Sequence, residues 1–181
     1  MRGIWSISVP SDGRNVVLTG FMGTGKSTVG KLLAKRLGYC FSDLDALIVG
    51  RAGISINEIF ERYGEQRFRE LETEAIRFLC GVSGRVVATG GGAVIAPRNR
   101  ELLRKAGLVV NLTASLEVIL CRLKGDRERP LLKSNNTPEA LAALMAGRED
   151  AYADADLRID TAGKSVEDVV TEIATFVREH Q

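Results

Sequence analysis

The sequence predicts an α/β protein built on a parallel sheet that helices cover on both faces. Short runs of aliphatic and β-branched residues alternate with helical patterns along the chain, as in strand–helix–strand units. The first run, at 16–18, is continuously apolar, which is typical of a strand buried on both faces. A chain of 181 residues has the length of one domain with a sizeable core.

The elements follow in a regular order. The first strand leads through a glycine-rich loop into a helix at 26–37, whose apolar residues recur at helical spacing before Gly38, a residue typical of a C-terminal cap. Further strands are predicted at 85–88, 108–112 and 157–159, and a short one at about 40–42 leads into Asp43. Further helices are predicted at about 65–79, 97–105, 115–123, 138–149 and 165–179.

Residues 1–13 are interpreted as an N-terminal extension, and residues 14–181 as a single domain. Within it, the stretch 124–137 is rich in Gly, Pro, Ser and Asn and predicts a mobile loop. Five basic residues against two acidic ones lie between 122 and 133. Such an excess suits either a solvated surface loop or a loop that meets phosphates.

Composition and charge exclude several classes of protein. The formal charge is only +2, so neither nucleic acid nor an anionic membrane is expected as a partner. The longest purely apolar run, at 140–146, is far shorter than the roughly 18 residues of a membrane span. The only histidine is His180, which excludes catalytic triads and multi-histidine metal sites. Three widely spaced cysteines predict a reducing compartment, the cytoplasm.

A phosphate-binding motif follows the first strand. Residues 20–27, Gly-Phe-Met-Gly-Thr-Gly-Lys-Ser, match the P-loop pattern between a predicted strand and a predicted helix. The glycines allow successive backbone N–H groups to point at phosphate oxygens, at the positive end of the helix dipole. Lys26 is expected to bind the β- and γ-phosphates, and Ser27 to bind Mg²⁺. A second Gly-Lys-Ser triplet at 163–165 lacks the first glycine of the pattern.

Two carboxylates, Asp43 and Asp45, stand at the end of the second strand. The carboxyl ends of parallel strands are where ligands bind in open α/β sheets. One carboxylate could organise the water shell of the metal while the other faces an acceptor hydroxyl. The alternative is that one of them caps a helix. No Asn-Lys-x-Asp guanine signature is present, so a GTPase is not expected.

Two further patterns have both a functional and a purely structural interpretation. On a helix, Glu65 and Glu72 lie one turn from Arg69 on either side and could brace its guanidinium, although such groups are often surface ion pairs. Three glycines at 90–92 follow the strand 85–88. They let a ligand approach the backbone closely, or they form a loose loop.

Together these residues resemble the shikimate kinase family. The similarity runs from about Val16 to Tyr152 and rests on the P-loop, the Asp-x-Asp at 43–45, the Phe-Arg at 68–69, the triple glycine, the Arg-Pro-Leu-Leu at 129–132, and Arg148 with Tyr152. It implies a three-layer P-loop kinase fold with a central five-stranded parallel sheet, helices on both faces, a mobile lid at about 122–137 and a helical substrate-binding region. The implied activity is phosphorylation of the 3-hydroxyl of shikimate by ATP, by a cytoplasmic monomer.

The resemblance assigns a role to each matching position. The implied catalytic residues are Lys26, Asp45 and Arg129. The implied nucleotide-binding residues are Gly23, Thr24, Gly25, Lys26, Ser27, Thr28, Arg122 and Arg129. The implied substrate-binding residues are Asp45, Arg69, Gly91, Gly92 and Arg148, with Arg69 and Arg148 clamping the carboxylate and Glu72 bracing Arg69. The implied ligands of Mg²⁺ are Ser27 and, through water, Asp43.

Two rival hypotheses remain at this point. One is a kinase for gluconate or another small alcohol, whose P-loop and lid would look alike. The other is a nucleotide-binding regulatory relative that retains the fold without turnover.

Overall fold

A five-stranded parallel sheet forms the centre of the molecule, in a computed structural model that describes residues 13–123 and 137–180. The strands are β1 (Asn15–Thr19), β2 (Cys40–Asp43), β3 (Arg85–Ala88), β4 (Gly107–Thr113) and β5 (Leu157–Asp160). They lie side by side in the order β2-β3-β1-β4-β5. The predicted fold class and all five predicted strands are therefore confirmed.

Eight helices lie in the described part of the chain, seven of them between strands and the last one after β5. They are α1 (Lys26–Leu37), α2 (Leu44–Ala52), α3 (Ile56–Cys80), α4 (Pro97–Ala106), α5 (Leu116–Leu123), α6 (Pro138–Ala146), α7 (Glu149–Ala153) and α8 (Val166–His180). Gly38 ends α1 in the left-handed conformation, with φ of 71°, as its position in the sequence predicts.

The helices cover the sheet on both faces because each strand sends alternate side chains to opposite sides. In β1, Val17 points to a core formed with α2 to α7, whereas Val16 and Leu18 point to a second core formed with α1 and α8. All three side chains are fully buried. This explains why the strand reads as a continuous apolar run rather than an alternating one.

The register of the strands brings the functional loops together. Asp43 at the end of β2 pairs with Ala88 at the end of β3, and Ala88 pairs with Leu18 near the end of β1. The P-loop after β1, the glycines after β3 and the carboxylates after β2 therefore share one edge of the sheet. This is the edge that the parallel topology leaves available to ligands.

Three helical predictions need correction. Helix α2 is absent from the predicted set, although Leu44 and Ile48 form its buried face. Helix α3 begins at Ile56 rather than near 65 and is kinked at Gly64. The helix predicted at 138–149 ends at Ala146, and the short helix α7 follows after Gly147 and Arg148.

Among the described residues, no helix is both long and apolar enough to cross a bilayer. Most of the predicted lid, including Arg129, lies outside the described residues.

Candidate active site

The P-loop forms the floor of a cavity of about 460 Å³ at the carboxyl edge of the sheet. Gly20, Gly23 and Gly25 all have positive φ, at 134°, 79° and 93°, which only glycine adopts without strain. A Cβ at Gly20 would also lie 2.2 Å from the carbonyl oxygen of Leu112. Glycine is therefore required at this position both by the backbone angle and by the neighbouring strand.

Lys26 is held against the loop that it belongs to. Its Nζ donates hydrogen bonds to the carbonyl oxygens of Gly20 and Phe21, both at 2.8 Å. The Thr24 hydroxyl donates to the same Phe21 oxygen at 2.8 Å, and its side chain is buried. Gly23, Gly25, Ser27 and Thr28 complete the wall of the cavity on this side. The loop thus concentrates one ammonium group and the N-terminus of α1 in a small volume.

Asp43 makes two kinds of contact in the structure, so its interpretation as a helix cap and its interpretation as a carboxylate of the metal site are compatible. Its Oδ1 accepts the backbone N–H groups of Asp45 and Ala46 and so caps α2. Its Oδ2 accepts the Ser27 hydroxyl at 2.8 Å. The predicted pair of metal ligands is therefore brought together beside the P-loop.

The chemistry of this pair suits Mg²⁺. A hydroxyl and a carboxylate are hard oxygen ligands, and Mg²⁺ usually retains several waters, so that one or two protein ligands suffice. Within the described residues, no group of three or more acidic, cysteine or histidine side chains forms a separate metal site.

Arg122 closes the opposite side of the cavity. Its guanidinium donates to the carbonyl oxygen of Gly23 at 3.2 Å, and to the Thr161 hydroxyl and carbonyl at 3.0 and 3.2 Å. Lys164 and Ser165 also line the cavity. Two residues of the triplet at 163–165, which is not a P-loop, therefore contribute to the same site. These residues and Thr161 were missed in the sequence, although their position after β5, at the carboxyl edge of the sheet, was a usable signal.

Asp45 and Glu72 meet over the glycine loop. A Cβ at Gly90 would lie 2.8 Å from Asp45 Oδ1 and 3.3 Å from Glu72 Oε1. The pKa of Glu72 is raised from its ordinary 4.5 to about 7, because burial and nearby Asp45, which raise it, outweigh Arg69, which lowers it. The Glu72 carboxyl therefore retains its proton to a higher pH than an exposed carboxyl does.

Arg69 is braced as its sequence neighbours predict. Its Nη1 lies 3.1 Å from Glu72 Oε2, and its Nη2 lies 2.9 Å from Glu65 Oε1. A Cβ at Gly92 would lie 2.5 Å from Arg69 Nη1, so glycine leaves the room that the guanidinium occupies. The ion pair between Arg69 and Glu72 is not a surface ion pair, because Glu72 is only 1% exposed.

Arg148 approaches the glycine loop from another element. It is the N-cap residue of α7, and its Nη1 donates to the Gly91 carbonyl oxygen at 3.3 Å. Its guanidinium also lies 5.9 Å from the centre of the Phe21 ring in the P-loop. Arg69 and Arg148 therefore contact adjacent glycines, although 79 residues separate them in the sequence.

The sequence model of a family described as "Shikimate kinase" matches residues 22–178. The chain belongs to the shikimate kinase family.

Curated relatives bear the same name as this family. A shikimate kinase of Geobacter sulfurreducens is 93% identical over 181 residues, which is the full length of both chains. A shikimate kinase of Geobacter metallireducens is 63% identical over 172 residues, covering 95% of this chain and 96% of the relative.

Solved structures of the shikimate kinase family share this fold. The shikimate kinase from Acinetobacter baumannii in complex with shikimate has a TM-score of 0.89 and 37% identity, covering 94% of this chain and 96% of that one. The enzyme from Aquifex aeolicus has a TM-score of 0.81 and 36% identity, covering 92% and 97%.

Proposed function

We propose that this chain transfers the γ-phosphoryl group of ATP to the 3-hydroxyl of shikimate, giving shikimate 3-phosphate and ADP for aromatic amino-acid (chorismate) biosynthesis. One observation carries the proposal: the P-loop and Asp45 line one cavity, and Arg69 and Arg148 lie beside the glycine loop at the same edge of the sheet. Membership of the shikimate kinase family and the likeness to a relative solved in complex with shikimate support it.

The phosphate end of the site depends on Lys26. In the structure its ammonium group is bonded to two carbonyl oxygens of the loop. ATP would exchange those partners for β- and γ-phosphate oxygens, whose developing charge Lys26 stabilises in the transition state. Arg122 would lie against the base, at the far wall of the cavity. Arg129 is proposed to close onto the phosphates, but it lies outside the described residues.

A metal ion would be held by Ser27 directly and by Asp43 through water. When bound, Mg²⁺ neutralises charge on the β- and γ-phosphates.

The acceptor end of the site is matched to an anionic alcohol. Arg69 and Arg148 would bind the carboxylate of shikimate, since a guanidinium recognises a carboxylate through two parallel hydrogen bonds. Gly91 and Gly92, which the two arginines contact, would lie next to that carboxylate. Asp45 would orient the 3-hydroxyl for in-line attack and take its proton. Positioning and electrostatics would supply most of the rate enhancement.

A substrate screen tests the proposed function. ADP release is measured with ATP and Mg²⁺ in the presence of shikimate, quinate, gluconate or water alone. We expect ADP release to depend on shikimate and to yield shikimate 3-phosphate by mass spectrometry. Preference for gluconate would favour a kinase of another small alcohol. Binding of ATP and shikimate without product would favour the regulatory relative.

The arginine clamp is tested by a matched pair of variants on α3. Arg69→Ala should raise the KM for shikimate at least about tenfold and leave the KM for ATP nearly unchanged, because charged hydrogen bonds to the carboxylate are lost. Arg67→Ala removes an exposed arginine that pairs with Glu70 and Glu74 on the same helix, and should change neither constant. Equal increases in both KM values for Arg69→Ala would contradict the clamp.

The cellular location and the assembly state are also proposals. Cys40, Cys80 and Cys121 are all free thiols, which suits the reducing cytoplasm. We further propose a monomer, which light scattering on the purified protein tests.

A further inference from the structure

The Gly91 carbonyl oxygen accepts two hydrogen bonds from side chains on a distant segment. One donor is Nη1 of Arg148, at 3.3 Å, and the other is the hydroxyl of Tyr152. Gly91 itself packs against the P-loop, since a Cβ there would lie 3.4 Å from the backbone nitrogen of Met22. The glycine loop, the P-loop and the segment that carries Arg148 therefore meet at Gly91.

Tyr152 is linked to Arg148 through its backbone and through its side chain. Its backbone N–H donates to the carbonyl oxygen of Arg148 at 3.1 Å, across the single turn of α7. Its hydroxyl reaches the same acceptor as the Arg148 guanidinium. Both side chains are buried, with 5% and 7% of their surfaces exposed. A helix of five residues is too short to be stable by itself, so side-chain contacts help to define where its N-cap side chain points.

The Tyr152 hydroxyl is able to act as a donor throughout the physiological pH range. Burial raises the pKa of Tyr152 above its ordinary value, although the charge of Arg148 and its hydrogen bond to the phenol act in the opposite direction. The phenol is therefore protonated, and its proton is directed at the Gly91 oxygen. A neutral phenol does not compete with a bound anion for the charge of Arg148.

Arg148 has donors to spare. Among the described residues, no acidic side chain lies within ion-pair distance of it, and its acceptors in the site are the Gly91 carbonyl and the phenol oxygen of Tyr152. A guanidinium has five N–H groups, so most of them are available to a bound anion. The direction of those groups depends on the position of the Gly91 oxygen, to which the guanidinium is hydrogen-bonded.

From these contacts we infer that Tyr152 is a positioning residue for acceptor binding: its hydroxyl fixes the Gly91 carbonyl and thereby orients Arg148 toward the carboxylate of the substrate. The inference rests on the proposed function, because it assumes that the acceptor is the carboxylate-bearing shikimate. Tyr152 does not touch the substrate in this proposal. It acts through Gly91 and Arg148.

Tyr152→Phe is the direct test, because it removes one oxygen atom and keeps the buried ring. Loss of this hydrogen bond should raise the KM for shikimate about 3- to 10-fold, with the KM for ATP unchanged within about twofold. Tyr63→Phe is the matched control, since it removes the hydroxyl of a tyrosine that is 60% exposed. We expect it to match the wild type. KM does not depend on the fraction of folded enzyme, so reduced stability of Tyr152→Phe would not mimic the effect.

A double-mutant cycle with Arg148→Ala separates positioning from general support of the fold. If Tyr152 acts through Arg148, adding Tyr152→Phe to Arg148→Ala should change the KM for shikimate by less than about twofold, because the group to be oriented is absent. The same fold-increase in both backgrounds would overturn the inference. So would equal increases for ATP and shikimate. Failure of the wild type to use shikimate would instead reject the proposed function.

Discussion

Glu72 is a carboxylic acid that is almost removed from water, with 1% of its surface exposed. Its Oε2 is paired with Arg69, but its buried Oε1 has no hydrogen-bond partner among the described residues. A buried anion with an unsatisfied oxygen is costly, and protonation relieves that cost. This explains why the pKa of Glu72 rises to about 7 even though a guanidinium lies beside it.

The raised pKa predicts a pH dependence of stability that Glu72→Gln should remove. Between pH 4.5 and about 7 the unfolded chain releases the Glu72 proton while the folded chain retains it, so the free energy of unfolding falls as the pH rises. From pH 5 to pH 8 the free energy of unfolding should fall by about 2 to 3 kcal/mol more for the wild type than for Glu72→Gln. Urea denaturation at four pH values measures this difference. Glu70→Gln, an exposed carboxyl on the same helix, serves as the control, and parallel curves for wild type and Glu72→Gln would contradict the prediction.

Single residues could be predicted from the sequence where the signal is local. The P-loop pattern identifies Lys26, and the spacing of one helical turn identifies the braces of Arg69. The contact between Tyr152 and Gly91 joins residues 61 positions apart, and no local pattern indicates it. The hydrogen bond between Thr161 and Arg122 likewise joins residues 39 positions apart, so only the position of Thr161 after β5 could have indicated it.

At the scale of elements, the kink in α3 depends on one residue. Gly64 has φ of 77° and ψ of 173°, a combination that is accessible essentially to glycine alone. The break lets the segment before it change direction, so that Phe60 and Phe68 pack with ring centres 4.8 Å apart. Arg69 then follows one turn after the kink, at the edge of the site.

Gly64→Ala and Gly50→Ala should change stability in opposite directions. A Cβ would have open space at both positions, with nothing within 4 Å, so only the backbone distinguishes them. Gly64→Ala should lower the free energy of unfolding by about 1 to 3 kcal/mol because of its positive φ. Gly50→Ala, in the interior of α2, should raise it by about 0.5 to 1 kcal/mol because Gly50 has ordinary helical geometry. Chemical denaturation of both variants measures the effect, and a stabilising Gly64→Ala would show that the kink is not imposed by the backbone.

The elements that the sequence predicted best are the apolar strands, because burial on both faces produces a continuous run of large residues. Helix α2 was missed because two buried residues, Leu44 and Ile48, make a weak periodic signal, although Asp43 and Gly53 cap it at either end. The helix predicted to 149 stops at Ala146 because Gly147 follows. Beyond it, Arg148 begins a new helix, and its side chain is fixed by a contact with Gly91 that sequence periodicity does not show.

At the scale of the whole molecule, the two faces of the sheet pack into two separate hydrophobic cores. Ile76 in α3 is fully buried in the core shared with α2 to α7, and Ile173 in α8 is fully buried in the core on the other face. Neighbouring residues of the central strands β1, β3 and β4 divide between the two cores. If either layer of helices unfolded, it would therefore expose strands against which the other layer packs. We expect a single cooperative unfolding transition.

Ile76→Ala and Ile173→Ala test this cooperativity. Each should lower the free energy of unfolding by about 2 to 5 kcal/mol, because a buried isoleucine is replaced by a cavity. The sheet lies between the two sites, so the effects should add in the double variant to within about 0.5 kcal/mol. Urea transitions followed by far-UV and near-UV circular dichroism should coincide for every variant. Two separate transitions, with only one of them shifted by each substitution, would show instead that the two layers unfold independently.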